Sequence, residues 1–281
     1  EKMAAMALSG DRATDHLVQR ADFQQLYANL PTRWSHELGL VLGWLVGDGW
    51  LSETSNSPVG MVFSSPEMFE MIHQPLAEWF GPGHVHVRGE LLQLTYGRLP
   101  YEFFRSLGVQ PVRASEKRLP EAIWIAPRPA VVGFLQGLFS ADGTVQVNRR
   151  KGDCTIRLAN SSKGLLQDIQ ILLSNFGILS HVYHRRPAGR KAMPDGKDGQ
   201  AEYAYRSQYE LVIGKANRDR FAELIGFADV EKQARLRAFI SAKKRRSNTE
   251  RFTDVVKHIR PAGRADVYDL SQPQTNSLIA N

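Results

Sequence analysis

Two aspartates stand in matching company. Asp48 follows Gly39, Gly43 and Gly47 at intervals of four and precedes Gly49; Asp142 follows Gly133, Gly137 and Ala141 at the same intervals and precedes Gly143. In a helix, four-residue spacing stacks such small residues on one side, where two helix backbones can approach closely. If two such helices run side by side in the same sense, their last turns meet and both carboxylates arrive at one place. Carboxylates crowded in a poorly solvated site cost on the order of several kcal/mol. A divalent cation relieves that cost, and magnesium, which prefers carboxylate and phosphate oxygens, suits it well. Either helix end alone is an ordinary glycine-capped terminus of a buried helix. The repetition, 142 − 48 = 94 positions apart, singles out the pair.

The elements that must carry these residues repeat as well. Ser35 can cap a helix whose Leu38, Leu40, Val41, Leu42, Trp44, Leu45 and Val46 make it apolar almost all round, so it must be buried. Strand-like pieces follow at Val59–Phe63, His84–Val87 and Leu91–Tyr96, around a helix from about Pro66 to Phe80, and a further helix ends near Leu107. In the second half, Val132–Phe139 is again an apolar helix, and Thr155–Ala159 precedes Ser161-Ser162 as Met61–Phe63 precedes Ser64-Ser65. Helix Gly164–Phe176, strand Glu210–Gly214 and the segment Phe221–Gly226 answer Pro66–Phe80, Leu92–Gly97 and Phe103–Gly108. A long internal repeat of this kind predicts two similar units facing each other across an approximate two-fold axis.

Bulk properties bound the partner. Thirty-six Lys and Arg against 29 Asp and Glu give a formal charge of +7 and a pI near 9.6, which favours a polyanion, nucleic acid before an acidic membrane surface. Hydrophobic residues at 42% are ample for a core. The lone Cys154 excludes an intrachain disulfide, and no Cys/His spacing suggests zinc. The longest apolar run, Leu38–Gly47, is too short to span a bilayer, and no signal-peptide pattern opens the chain, so a soluble, intracellular protein is expected.

The segments Leu38–Gly49 (LGLVLGWLVGDG) and Val132–Gly143 (VGFLQGLFSADG) resemble the paired dodecapeptide motifs of the LAGLIDADG homing endonucleases, and the likeness extends over about residues 34–240. Gly47 stands where the motif usually has alanine, which keeps the position small. The resemblance implies an α+β fold of two αββαββα halves packed through the motif helices, each offering a saddle of antiparallel strands to double-stranded DNA. The chain would be a monomer with internal pseudo-two-fold symmetry, cutting one strand per half to leave a staggered break. It implies Mg2+ or Mn2+ as cofactor, with Ca2+ as a substitute that does not support cleavage. Asp48 and Asp142 are the implied ligands, with the carbonyls of Gly47 and Ala141 as extra donors. It also implies a basic residue near each metal. The repeat offers Lys117 and Lys232, or the rival pair Arg98 and Lys215, which follow Gly97 and Gly214.

The tail, Asp266–Asn281, resembles the late conserved block of inteins, although Asn276 stands where that block often has histidine and the residues of the splice junctions are missing. The expectation is therefore the endonuclease part of an intein, of prokaryotic or phage origin, cytoplasmic or nucleoid-associated. The implied division is a flank at 1–33, halves at 34–128 and 129–240, and a basic segment with the tail at 241–281. A weak helical pattern runs through Asp15–Leu30 in the flank, and Lys243-Lys-Arg-Arg246 reads as a backbone-contacting patch.

His184–Lys197, with Arg185, Arg186, Arg190, Lys191 and Lys197 against Asp195, reads as a long basic hairpin for phosphate and groove contact. Alternating strand residues such as Arg157, Tyr183, Tyr203, Tyr205 and Arg206 are candidates for reading base edges, since one face of a half-exposed sheet must point outward. Two other functions fit the same sequence less well. A binding protein of this fold, such as a maturase or regulator without cleavage, sits uneasily with both aspartates being present. Peptide-bond rearrangement lacks its splice residues.

Overall fold

The computed structural model describes residues 29–148, 150, 152–194, 200–242, 255–261, 263–264 and 266. The flank pattern before residue 29, Asp195 and Lys197, the patch Lys243–Arg246 and the tail after Asp266 lie outside the described residues, as do the side chains of Lys191 and its neighbours to 201.

Helix α1 (His36–Asp48) begins where Ser35 Oγ accepts from Leu38 N and runs directly into β1 (Gly49–Leu51). Then come β2 (Val59–Phe63), α2 (Pro66–Phe80), β3 (His84–Arg88), β4 (Leu91–Tyr96) and α3 (Arg98–Ser106). Two short 3-10 turns, Ala114–Glu116 and Glu121–Ile125, lead to α4 (Arg128–Asp142). The plan repeats as β5 (Gly143–Asn148), β6 (Asp153–Asn160), α5 (Lys163–Asn175), β7 (His181–Arg186), β10 (Gln208–Ile213) and α6 (Lys215–Leu224), followed by α7 (Val230–Ser241). Between β7 and β10 the second half inserts a separate ribbon, β8 (Gly189–Pro194) paired with β9 (Gln200–Tyr205).

Both four-stranded sheets are antiparallel and share one order, β1-β2-β4-β3 in the first half and β5-β6-β10-β7 in the second, so the fold is α+β as expected. The register repeats too: Gly49 pairs with Met61 as Gly143 pairs with Leu158. One face of each sheet is apolar and packs under the helices, with Met61, Phe63 and Leu94 buried in one half and Ile156, Leu158, Leu211 and Ile213 in the other.

Three readings of the sequence change. The strands that leave each Asp-Gly, β1 and β5, carry no run of apolar residues long enough to announce them. The basic segment is not one hairpin from residue 184: His184–Arg186 belong to β7, paired with β10, and the ribbon pairs Gly189–Pro194 with Gln200–Tyr205. Lys232 follows α6, where the repeat puts it, but not on a loop like Lys117. It lies in the first turn of α7, capped by Asp229.

Candidate functional site

The glycine stripes decide how α1 and α4 meet. A Cβ on Gly39 would lie 2.0 Å from Ala130 O, and one on Gly43 2.0 Å from Phe134 O; from the other side, Gly133 and Gly137 face His36 O at 2.1 Å and Leu40 O at 2.2 Å. Partner numbers rise together along both helices, so they run in the same sense. A side chain at any of these four positions would collide with backbone. At the far end a Cβ on Gly47 would sit 2.6 Å from Ala141 Cβ and 3.9 Å from Asp142 Cγ. The two last turns therefore meet, and each aspartate is delivered beside the other.

The electrostatics register that closeness. Asp142 is pushed up to about 6, first by burial and then by the neighbouring Asp48 charge, against the Asn160 hydrogen bond and the Lys117 and Lys232 ammonium groups. Asp48 is also raised by burial, opposed by Lys232 and Lys117. Burial lowers both lysines, opposed by the two aspartates and, for Lys232, by Asp229 before them. Two carboxylates and two ammonium groups thus share one polar cluster at the junction of the halves.

Each lysine is built in from its own side. Lys117 Nζ donates to the carbonyls of Val46 (2.6 Å), Gly47 (3.2 Å) and Gly49 (2.9 Å), at the negative end of α1. Its loop is held by the opposite half: Ser162 Oγ donates to Lys117 O at 2.7 Å, and Arg118 grips buried Asp168 with Nε at 2.6 Å and Nη2 at 2.7 Å. Lys232 Nζ donates to Ser140 O, and to Ala141 O at 3.3 Å. Ser140 Oγ in turn accepts from Ala228 N and Asp229 N, which fixes the start of α7. The Gly47 and Ala141 carbonyls named as metal donors therefore already accept from ammonium groups.

The rival cations are placed differently. Arg98 opens α3, pairs with Glu102 at 2.5 Å and lies over the Tyr101 ring; Lys215 opens α6 with a φ of 51°. Neither charge is among those felt by both aspartates.

One residue escaped the sequence reading. Asn160 Nδ2 donates to Asp142 Oδ2 at 3.0 Å, while its Oδ1 accepts from Ser162 N at 2.9 Å. By the repeated register its counterpart is Phe63, which stacks on Trp44 with ring centroids 5.1 Å apart. A polar residue on the core-facing side of β6 was the available signal.

Of the DNA-contact candidates, Arg157 and Arg185 both pair with Glu210 on the sheet face opposite the helices. Arg186 covers the Tyr205 ring at 4.4 Å. Arg190 sits 3.6 Å from Glu202 on the ribbon, Tyr183 and Tyr203 are exposed, and Arg206 is exposed between β9 and β10.

Could these residues hold a divalent cation? Among the described residues no three His, Cys, Asp or Glu side chains gather as a ready-made cage. Two carboxylates raised by burial, beside helix-end carbonyls, are nonetheless hard oxygen donors, which fits a cation that keeps water and phosphate as further ligands.

Two parallel helices, each ending in an aspartate and each passing its chain to an antiparallel sheet of the same order, define a pseudo-symmetric α+β protein with one composite acidic centre. The chain carries a LAGLIDADG-like domain: residues 129–226 match the family model of that description, and the first half repeats its strand order. The ribonucleoside-diphosphate reductase NrdEB subunit alpha of Bacillus subtilis (strain 168) is 30% identical over 184 residues, 64% of this chain and 17% of that protein. The DNA polymerase of Thermococcus litoralis is 30% identical over 169 residues, 59% of this chain and 9% of that one. The chain thus matches 17% or less of the length of these relatives. Among solved structures, the homing endonuclease I-WcaI bound to its DNA recognition sequence superposes with a TM-score of 0.48 at 13% identity, over 83% of this chain and 97% of that one. No helix among the described residues is long and apolar enough to cross a membrane.

Proposed function

We propose that this protein is a site-specific DNA endonuclease that makes a staggered double-strand break, one strand for each half. The observation that carries the reading is the meeting of Asp48 and Asp142 at the ends of two glycine-locked parallel helices, with Asp142 held up to about 6. Such a pair is unfavourable in isolation and has a purpose if a cation binds there. The carboxylates of Asp48 and Asp142 would hold Mg2+ or Mn2+, with the free lone pairs of the Gly47 and Ala141 carbonyls as auxiliary donors. Bound there, the cation supplies neutralisation of charge on the scissile phosphate and a more acidic water.

The chain's own residues do the rest. Lys117 and Lys232, fixed on the two helix ends, place positive charge beside the phosphate where it gains charge. Lowered pKa values hold each ammonium closer to giving up a proton, so either lysine can exchange one with the attacking water or the leaving oxygen. Asn160 keeps one Asp142 oxygen occupied and so orients the other. The outer faces of the two sheets, flanked by the ribbon β8–β9, supply the surface for the duplex, and the formal charge of +7 favours it. Arg98, Lys215, Arg186, Arg190, Lys191, Tyr205 and Arg206 are proposed as contacts around that surface.

The division proposed is 34–128 and 129–240 for the halves, with a flank before and a basic tail after. A stretch shared with a reductase subunit and a DNA polymerase, proteins of different activity, behaves as an insert common to unrelated hosts, which supports an intein-borne endonuclease working inside the cell. The test is to incubate the protein and Mg2+ with a plasmid carrying the uninterrupted host gene. Linearisation at one site is the expected result; binding without cutting would leave a regulator or maturase of this fold.

A further inference from the structure

The outer face of the second sheet carries a nearly covered carboxylate among cations. Strand alternation fixes that face: Ile156, Leu158, Leu211 and Ile213 are buried against the helices, so Arg157 and Glu210 point away from them. Tyr183 pairs across from Glu210, and the register shifts just beyond it, so that Arg185 is the unpaired residue of a β-bulge whose side chain reaches Glu210. There Arg157 Nη1 donates to Glu210 Oε2 at 2.8 Å, and Arg185 Nη1 donates to both Glu210 oxygens at 3.0 Å. Arg157 Nε is also held by Thr155 Oγ1 at 3.1 Å.

A carboxylate on a face that meets a polyanion opposes binding unless it serves its neighbours. Glu210, only 7% exposed, pins one nitrogen of each guanidinium and so removes much of the rotamer freedom that binding would otherwise have to freeze. The Nη2 of Arg157 and the Nε and Nη2 of Arg185 have no hydrogen-bond partner among the described residues, and both side chains keep part of their surface exposed. A planar pair of N–H donors held in advance matches the O6 and N7 acceptors of guanine in the major groove.

The first half has no such device. Through the repeated register the counterparts of Arg157 and Glu210 are Gly60 and Gln93, while Arg88 answers Arg186 and the bulged Arg185 has no counterpart. The Trp50 ring lies over Gly60, where a Cβ would be 2.0 Å from Cζ2. Where the second half shows a clamped cation pair, the first shows an aromatic surface.

We propose that Arg157 and Arg185, held by Glu210, are the guanine-reading residues of the second half, and that they make the recognised sequence unequal between its two halves. Arg157 pairs across from Thr144, two residues beyond Asp142, so the guanine it reads lies close to the cut. This inference rests on DNA being the partner. The experiment selects duplexes from a library randomised over the whole target, by binding in Ca2+, for the wild type and for R157K, R185K and E210Q. The wild type is expected to enrich guanine near the centre of one half-site and not at the mirrored positions. R157K and R185K keep the charge but lose the fork, and each should lower that enrichment roughly ten-fold or more while leaving other positions unchanged. E210Q should weaken the same guanine preference and raise affinity for unselected duplex, because a negative charge is gone. Unchanged guanine enrichment in both lysine variants overturns the inference while the nuclease reading stands. If the wild type enriches no sequence at all, DNA recognition fails and this inference with it.

Discussion

Replacing Asp142 by asparagine separates the cost of the acidic centre from its use. With its pKa raised from 3.8 to about 6, the folded protein holds this proton more tightly than the unfolded chain does. Stability must therefore fall as pH rises from about 4 to about 6 and stay flat above, with the full penalty present at neutral pH. At about 1.36 kcal/mol per pKa unit, the penalty is up to about 3 kcal/mol. Asp142→Asn removes it, and the new amide oxygen can still accept from Asn160. Urea unfolding in EDTA should show the variant more stable than the wild type by up to about 3 kcal/mol at pH 7.5 and equal to it at pH 4. Saturating Mg2+ should then stabilise the wild type and leave the variant almost unmoved, since a ligand stabilises only the state that binds it. Cleavage is lost while duplex binding persists. A variant that is less stable at both pH values would make Asp142 a structural residue and refute the reasoning.

Other perturbations test the positioning of the site. Lys117→Met and Lys232→Met should each slow cleavage by about 10²-fold with duplex affinity retained, followed as separate nicking of each strand; an unchanged rate would make them helix-end counter-charges only. Gly43→Ala drives a Cβ toward Phe134 O and should cost about 1–3 kcal/mol or more in chemical denaturation, so a neutral result would contradict the close approach of α1 and α4. Asp168→Ala frees Arg118 and leaves Leu119 N unpaired, at about 1–3 kcal/mol. Because it also loosens the loop that carries Lys117, its cleavage rate should fall with that of Lys117→Met, whereas full activity would show the loop to be held by Ser162 alone.

Much of the fold was legible because local rules sufficed. Val59–Phe63, Pro66–Phe80 and Leu91–Tyr96 form where the apolar pattern, the Ser65 cap and the Pro at the helix start place them. The strands β1 and β5 were not, since each begins at the aspartate's own glycine and is defined by pairing to a strand further along the chain. Helix α7 was hidden because its apolar residues form no buried stripe: only Leu236 is buried.

Within the site, the sequence by itself determined that Asp48 and Asp142 end equivalent helices and that a small-residue face runs along each. Spacing along a helix sets which residues share a side, so no tertiary information was needed for that. The tertiary structure decided which of the two candidate cation pairs faces the aspartates: Lys117 arrives on a loop and Lys232 in the first turn of a helix, each at the end of its own motif helix. It also decided that Asn160 meets Asp142 where the other half has Phe63, and that Arg157 and Arg185 converge on Glu210. Each of these contacts joins residues far apart in the chain, through pairing register and helix docking, and that geometry exists only once the sheets and helices have packed.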